Sequence, residues 1–142
     1  MPRSGDALVA SPHLENAAGE HMMQKGFAER FAREWVEAWN AHDLERVLSH
    51  YEDDFEMSSP IIVTLMGEPS GKLKGKAAVG AYWAKALKLL PELRFEFLAV
   101  LAGTESVVVY CRGHRGLTAE VLHFGETGKV RAAFAHYVEW SA

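Results

Sequence analysis

A single cysteine, Cys111, stands in 142 residues, which excludes an intrachain disulfide and any cluster of thiolate metal ligands. A reducing, cytoplasmic setting fits such a chain. Long apolar runs are missing as well: none approaches the roughly 20 residues of a membrane-spanning helix, and "ALVA" near the start is too short for the core of an export signal. The chain is therefore expected to be soluble, to stay off membranes and not to be exported. An excess of positive charge is also absent, since 15 Lys and Arg face 19 Asp and Glu for a formal charge of −4. Nucleic acid is disfavoured as a partner, because binding it needs a concentrated basic face to displace counterions, and the densest basic run, "GKLKGK" at 71–76, is short. The seven histidines show no His-x-x-x-His spacing, so neither a metal nor another cofactor is expected. "GEPSGK" at 67–72 has three residues between its glycines and Leu73 where a phosphate loop needs a hydroxyl.

What is present reads as an ordinary globular chain, 49% hydrophobic and 24% charged. Its length suits one core. Residues 1–22 mix Pro, Gly, Ser and small residues without a period and read as a flexible N-terminal tail, leaving 23–142 as a single domain. Phe27, Phe31, Trp35 and Trp39 recur every four residues, with Ala28, Ala32 and Val36 widening the stripe, and predict an amphipathic helix. Asp43 then caps a second helix through Leu44, Val47, Leu48 and Tyr51. "FEMSSPIIVTL" at 55–65 is strand-like, and Pro60, which has no N–H to donate, places it at an edge or a bulge. A third helix is predicted from Lys76 to Leu90, followed by strands at about 93–102, 106–114, 117–124 and 129–139. Helices first and a strand meander last make an α+β plan.

One strand poses a question of function. In "VVVYCRGHRG", 107–116, Tyr110, Arg112 and His114 share one face, while Val107, Val109 and Cys111 share the other. Either the polar face meets water, or it lines a polar pocket.

The strings "EWVEAWNAHDLERVLSHYEDDFEM" at 34–57, "GKAAVGAYWAKAL" at 75–87 and "EVLHFGETGKVRAAFAHY" at 120–137 resemble the NTF2-like superfamily and, within it, the SnoaL-like group. The resemblance covers about residues 27–140. It implies a cone in which three N-terminal helices pack on a strongly curved, mixed or antiparallel sheet, with an apolar pocket at the wide end for a small molecule. It also implies that Tyr110, Arg112 and His114 point into that pocket. Ketosteroid isomerases of this fold need a carboxylate base and two acidic donors, and the corresponding positions here are Trp35, Ser59 and Leu122, so that mechanism is disfavoured. Cyclases of the group use a strand carboxylate; Leu122 leaves that position empty, and Glu120, two residues earlier on the same face, is the nearest replacement.

The residues expected to bind a ligand are Trp35, Trp39, Ser59, Trp83, Tyr110, Arg112, Leu122 and Tyr137, with Trp35 and Trp39 first of all core residues. His114 and Glu120 are the candidate catalytic pair, and His114 has the ordinary pKa for proton transfer near neutral pH. A three-residue loop at 115–117 would set Arg112 opposite Glu120; a two-residue loop at 115–116 would put Glu120 on the other face. Three functions remain open: a binding protein for a small apolar molecule, a proton-transfer enzyme such as a cyclase, isomerase or dehydratase, and a non-catalytic dimerisation module. A homodimer is expected in each case, through an outer sheet face of Val107, Val109, Cys111, Val121 and Phe134.

Overall fold

The computed structural model describes residues 26–139; the expected tail and its boundary at residue 22 lie outside them. Helix α1 (Phe27–Asn40) buries Phe31, Ala32, Trp35, Val36, Ala38 and Trp39 along one face, as its four-residue repeat requires. The corner after it is pinned by two polar side chains. The Asn40 amide donates to the Phe95 carbonyl at 2.9 Å and accepts the Phe95 N–H at 2.7 Å. His42 is in the left-handed region at φ 56, where its Nε2 donates to the Leu93 carbonyl at 2.8 Å. Asp43 caps α2 (Leu44–Leu48) by accepting the Arg46 N–H at 3.1 Å.

Helix α2 is shorter than its sequence pattern, because Tyr51 opens strand β1 (Tyr51–Ser58) instead of closing the helix. A second difference follows at Pro60. The strand stops at Ser58, and Ser59 caps a short helix α3 (Pro60–Met66), with Pro60 in its first turn and Gly67 ending it at φ 69. A proline without an N–H suits a strand edge and a helix start equally well; the serine before it decides for the helix. Strand β2 (Lys72–Lys74), helix α4 (Lys76–Leu89) and strands β3 (Glu96–Ala102), β4 (Ser106–Gly113), β5 (Gly116–Phe124) and β6 (Val130–Tyr137) complete the fold.

The strands form one sheet in the order β2-β1-β6-β5-β4-β3, antiparallel throughout except for the parallel pair β1 and β6. Register shifts at Tyr51/Glu56, Phe97/Ala99 and His123/Phe124 mark the irregularities at which such a sheet bends. Helices α1 and α4 pack against β3 and β1 on the concave face, and the core lies between. Among the described residues no helix is long and apolar enough to cross a membrane.

The face of β4 is the reverse of the expected one. Val107, Val109 and Cys111 are buried against the helices, whereas Tyr110 is half-buried and Arg112 exposed on the convex side. The turn to β5 consists of His114 and Arg115 alone, since Gly113 pairs with Gly116. This register sets Val109 opposite Glu120, Cys111 opposite Thr118 and Val107 opposite Leu122. Glu120 is therefore inside because it lies on the face opposite Arg112, which itself faces Leu117.

Candidate functional site

Between α1, α3, α4 and the concave sheet lies a cavity of about 410 Å³, within the size range of small-molecule sites. Its inner wall is aromatic. Trp39 meets Trp35 at 6.1 Å and Trp83 at 5.0 Å between ring centroids, both edge-on, and Phe95 stands 5.5 Å from Trp35 and 6.0 Å from Trp39. Edge-on geometry aligns the positive rim of one ring with the negative face of the next. Asn40 and His42, by holding the backbone at Phe95 and Leu93, fix the wall those two residues provide. The indole N–H of Trp35 donates to the Tyr51 hydroxyl at 2.9 Å, while that of Trp39 is buried without a partner among the described residues. Ile61 and Leu65 of α3, Ala86 and Leu89 of α4, and Leu90 and Leu93 complete the apolar lining.

Against this lining stands one carboxyl. Glu120 is 8% exposed and reaches the cavity from β5, and no hydrogen bond or ion pair to it occurs among the described residues. Removal from water without compensation disfavours the charged form, and burial alone raises its pKa from 4.5 to about 8. Its charge in turn reaches Tyr51, Tyr82, Tyr137 and Cys111, each already raised by burial, Cys111 to about 11. The Glu120 carboxyl is thus ringed by phenols that stay protonated.

Two of those phenols share an anchor. Ser59 Oγ accepts the Ile61 N–H at 3.1 Å and the Tyr82 hydroxyl at 3.4 Å, and also hydrogen-bonds Tyr137. The cap of α3 therefore holds Tyr82 and Tyr137 where they border the cavity. At the opposite end the β4–β5 turn supplies His114 and Arg115, both exposed and both on the cavity's edge.

The sequence profile of the SnoaL-like domain matches residues 32–140. This chain belongs to the SnoaL-like family. Among solved structures, a SnoaL-like protein of unknown function from Burkholderia thailandensis E264 is 55% identical at a TM-score of 0.79, over 82% of this chain and 98% of the other. TerC co-crystallised with polyporic acid shares the fold at 16% identity and a TM-score of 0.64, over 78% and 92% of the two chains. A candidate SnoaL-like polyketide cyclase from Shewanella denitrificans OS-217 does so at 15% and 0.61, over 78% and 90%. No curated protein matches the chain.

In this SnoaL-like chain the cavity gathers Trp35, Trp39, Trp83, Tyr137, His114 and Glu120 from the residues singled out in sequence. Ser59 stands behind the lining as the anchor just described, and Leu122 is fully buried in the core. Tyr110 and Arg112 do not face the cavity: Arg112 meets Glu96 at 3.5 Å on the outside of the sheet. Tyr82, Thr118, Arg115 and Phe95 also line the cavity and were not singled out in sequence. Thr118 was accessible by period two from Glu120, and Tyr82 by the helical spacing from Val79. Phe95 carried no signal, because Asn40 fixes it from far away in the chain.

Proposed function

We propose that this SnoaL-like protein binds a small, largely apolar molecule in the cavity and moves a proton on it, with Glu120 as the acid and base. The observation that carries this reading is the lone Glu120 carboxyl in an aromatic chamber, held near pKa 8 by burial, where a group can both give and take a proton at neutral pH. Protonated, it donates to a ligand carbonyl or hydroxyl; ionised, it removes a proton from a carbon or oxygen brought against it. The apolar walls exclude the water that would compete for that proton. The catalytic role expected of His114 passes to Glu120 on this reading, since His114 stands in the exposed turn and Glu120 in the dry interior. Glu120→Gln is the test. Carbon-13 NMR of the glutamate carboxyls should show one resonance titrating near pH 8 that is missing in the variant, and a carboxyl titrating near 4 to 5 would remove the proposal.

The assembly we propose is a homodimer through the convex face, where Leu101, Val108, Val121 and Phe134 form one apolar row across four strands by register. The setting we propose is the cytoplasm, which suits a chain whose one cysteine is buried and reduced.

A further inference from the structure

We infer that the ligand is an amine with apolar substituents, bound as its ammonium between the aromatic walls of the cavity and the Glu120 carboxylate. The inference rests on the reading of the cavity as a binding site and adds the class of ligand. Every hydroxyl on the lining is already engaged. Thr64 Oγ1 donates to the Ile61 carbonyl at 3.2 Å, Tyr82 to Ser59 at 3.4 Å and Thr118 to the Cys111 carbonyl at 3.5 Å, and Tyr137 is bound to the same Ser59. Among the indoles, Trp35 donates to Tyr51, and the unpartnered Trp39 Nε1 has almost no accessible surface. The Trp83 N–H, for which no bond occurs among the described residues, is the neutral donor left inside. Against it stands the Glu120 carboxyl, which has room for about four hydrogen bonds when ionised and receives none.

A neutral carbonyl would accept one bond from the protonated carboxyl and leave its remaining lone pairs unmet in a dry chamber. An ammonium answers the charge itself. The walls suit it, because Trp39 stands at 77° to Trp83 and at 84° to Phe95, and crossed rings present negative faces in more than one direction. A buried ion pair repays the loss of water only where other groups share the charge, and apolar substituents on the nitrogen spread it further while filling the cavity. Nothing else inside carries charge. Tyr51 of β1, Tyr82 of α4, Cys111 of β4 and Tyr137 of β6 are each raised by burial and stay neutral. Among the described residues the basic side chains on the lining are His114 and Arg115, both in the turn at the mouth, and burial alone sets the state of Glu120.

The proton balance follows from that state. A free amine draws the carboxyl proton onto its nitrogen lone pair, and an ammonium displaces that proton to solvent; both routes end at one ion pair. Since an amine is protonated in neutral water and Glu120 holds its proton up to about pH 8, binding should release about one proton below that pH, and affinity should rise about ten-fold per pH unit until it flattens near 8.

Two naphthalene probes of one shape test this, the dimethylaminomethyl compound and the neutral N,N-dimethylcarboxamide, titrated calorimetrically into the full chain in buffers of different ionisation enthalpy. At pH 7 the amine should bind about ten-fold or more tighter than the amide, and it alone should release a proton and show the pH slope between 6 and 8. Glu120→Gln should bring the amine to the level of the amide, remove its slope and leave the amide within about two-fold, which also reports that the variant is folded. Should that variant fail to fold, the proton release and slope of the parent decide alone. Ala86→Trp, which fills the cavity, should abolish binding of both probes. Equal binding of amine and amide, an amine that binds without releasing a proton, or a preference that survives Glu120→Gln overturns the amine and leaves the binding site standing. If neither probe binds, or if Ala86→Trp binds both like the parent, the cavity is not the site and both readings fall.

Discussion

Glu120→Gln should make the protein more stable in alkali than its parent. The Glu120 carboxyl is raised from 4.5 to about 8 by burial, so between those values the native chain holds a proton that the unfolded chain has lost. Stability then falls as pH rises: the contribution is fully present below about 4.5 and is lost as pH passes about 8. At about 1.4 kcal/mol per pH unit the whole span is worth about 5 kcal/mol, of which about 3 is gone by pH 7. Glutamine keeps the shape and has no proton to lose. The stability of the parent minus that of the variant should thus drop by about 4 kcal/mol from pH 5 to pH 9. Urea unfolding followed by circular dichroism at several pH values measures it. Other titrations, such as that of His50, whose pKa burial lowers, are common to both proteins and cancel in the difference. A difference that stays flat across the range would mean that Glu120 ionises as freely in the folded chain as in the unfolded one, and its role as acid and base would fall with it.

Trp35→Phe should cost about 1–3 kcal/mol in chemical denaturation by leaving the buried Tyr51 hydroxyl unpaired, and adding Tyr51→Phe should recover part of that loss; purely additive costs would show that the bond contributes nothing. Asn40→Ala strips both backbone partners from Phe95, so a loss of about 2 kcal/mol is expected, and an unchanged midpoint would show that the corner holds without them. Ser59→Ala should cost about 1 kcal/mol in chemical denaturation through the α3 cap, and an unchanged midpoint would show that the cap contributes nothing. Val121→Lys places a charge in the middle of the convex apolar row and should convert a dimer to a monomer in sedimentation velocity; a parent that already sediments as a monomer removes the proposed assembly.

Helix α1, helix α4 and the four-strand meander were legible in sequence because each is governed by a local period: four-residue recurrence from Phe27 to Trp39, and alternation from Val107 onward. The family strings supplied the topology that periods alone leave open. What failed were features set by a single residue or by a turn. Pro60 reads the same at a strand edge as at a helix start. The resemblance turns Tyr110, Arg112 and His114 inward, although plain alternation, with valines inward, describes β4 correctly: the concave surface here is apolar, and Tyr110 and Arg112 stand on the convex side. Glu120 was visible as a strand carboxylate, but its isolation was not, because that depends on the two-residue turn placing it across from Val109 rather than from Arg112.

The parallel pairing of β1 with β6 has a bearing on how this protein comes to be folded. Tyr51 pairs with Val130, more than half the chain further on, and β1 and β2 join the rest of the sheet only through β6. Helices α1 and α4 can form while the chain is still being made, but β1 has no neighbour except β2 until the final strand arrives. Contacts this distant in sequence close slowly, because the intervening loop must be ordered before pairing repays it. Until then the edge of β1 that pairs with β6 stands open with its backbone groups unpaired, and newly made chains are at their most vulnerable to association with one another. The strand that ends this exposure also brings Tyr137 to the cavity, so a ligand finds its site only on a chain that has finished folding.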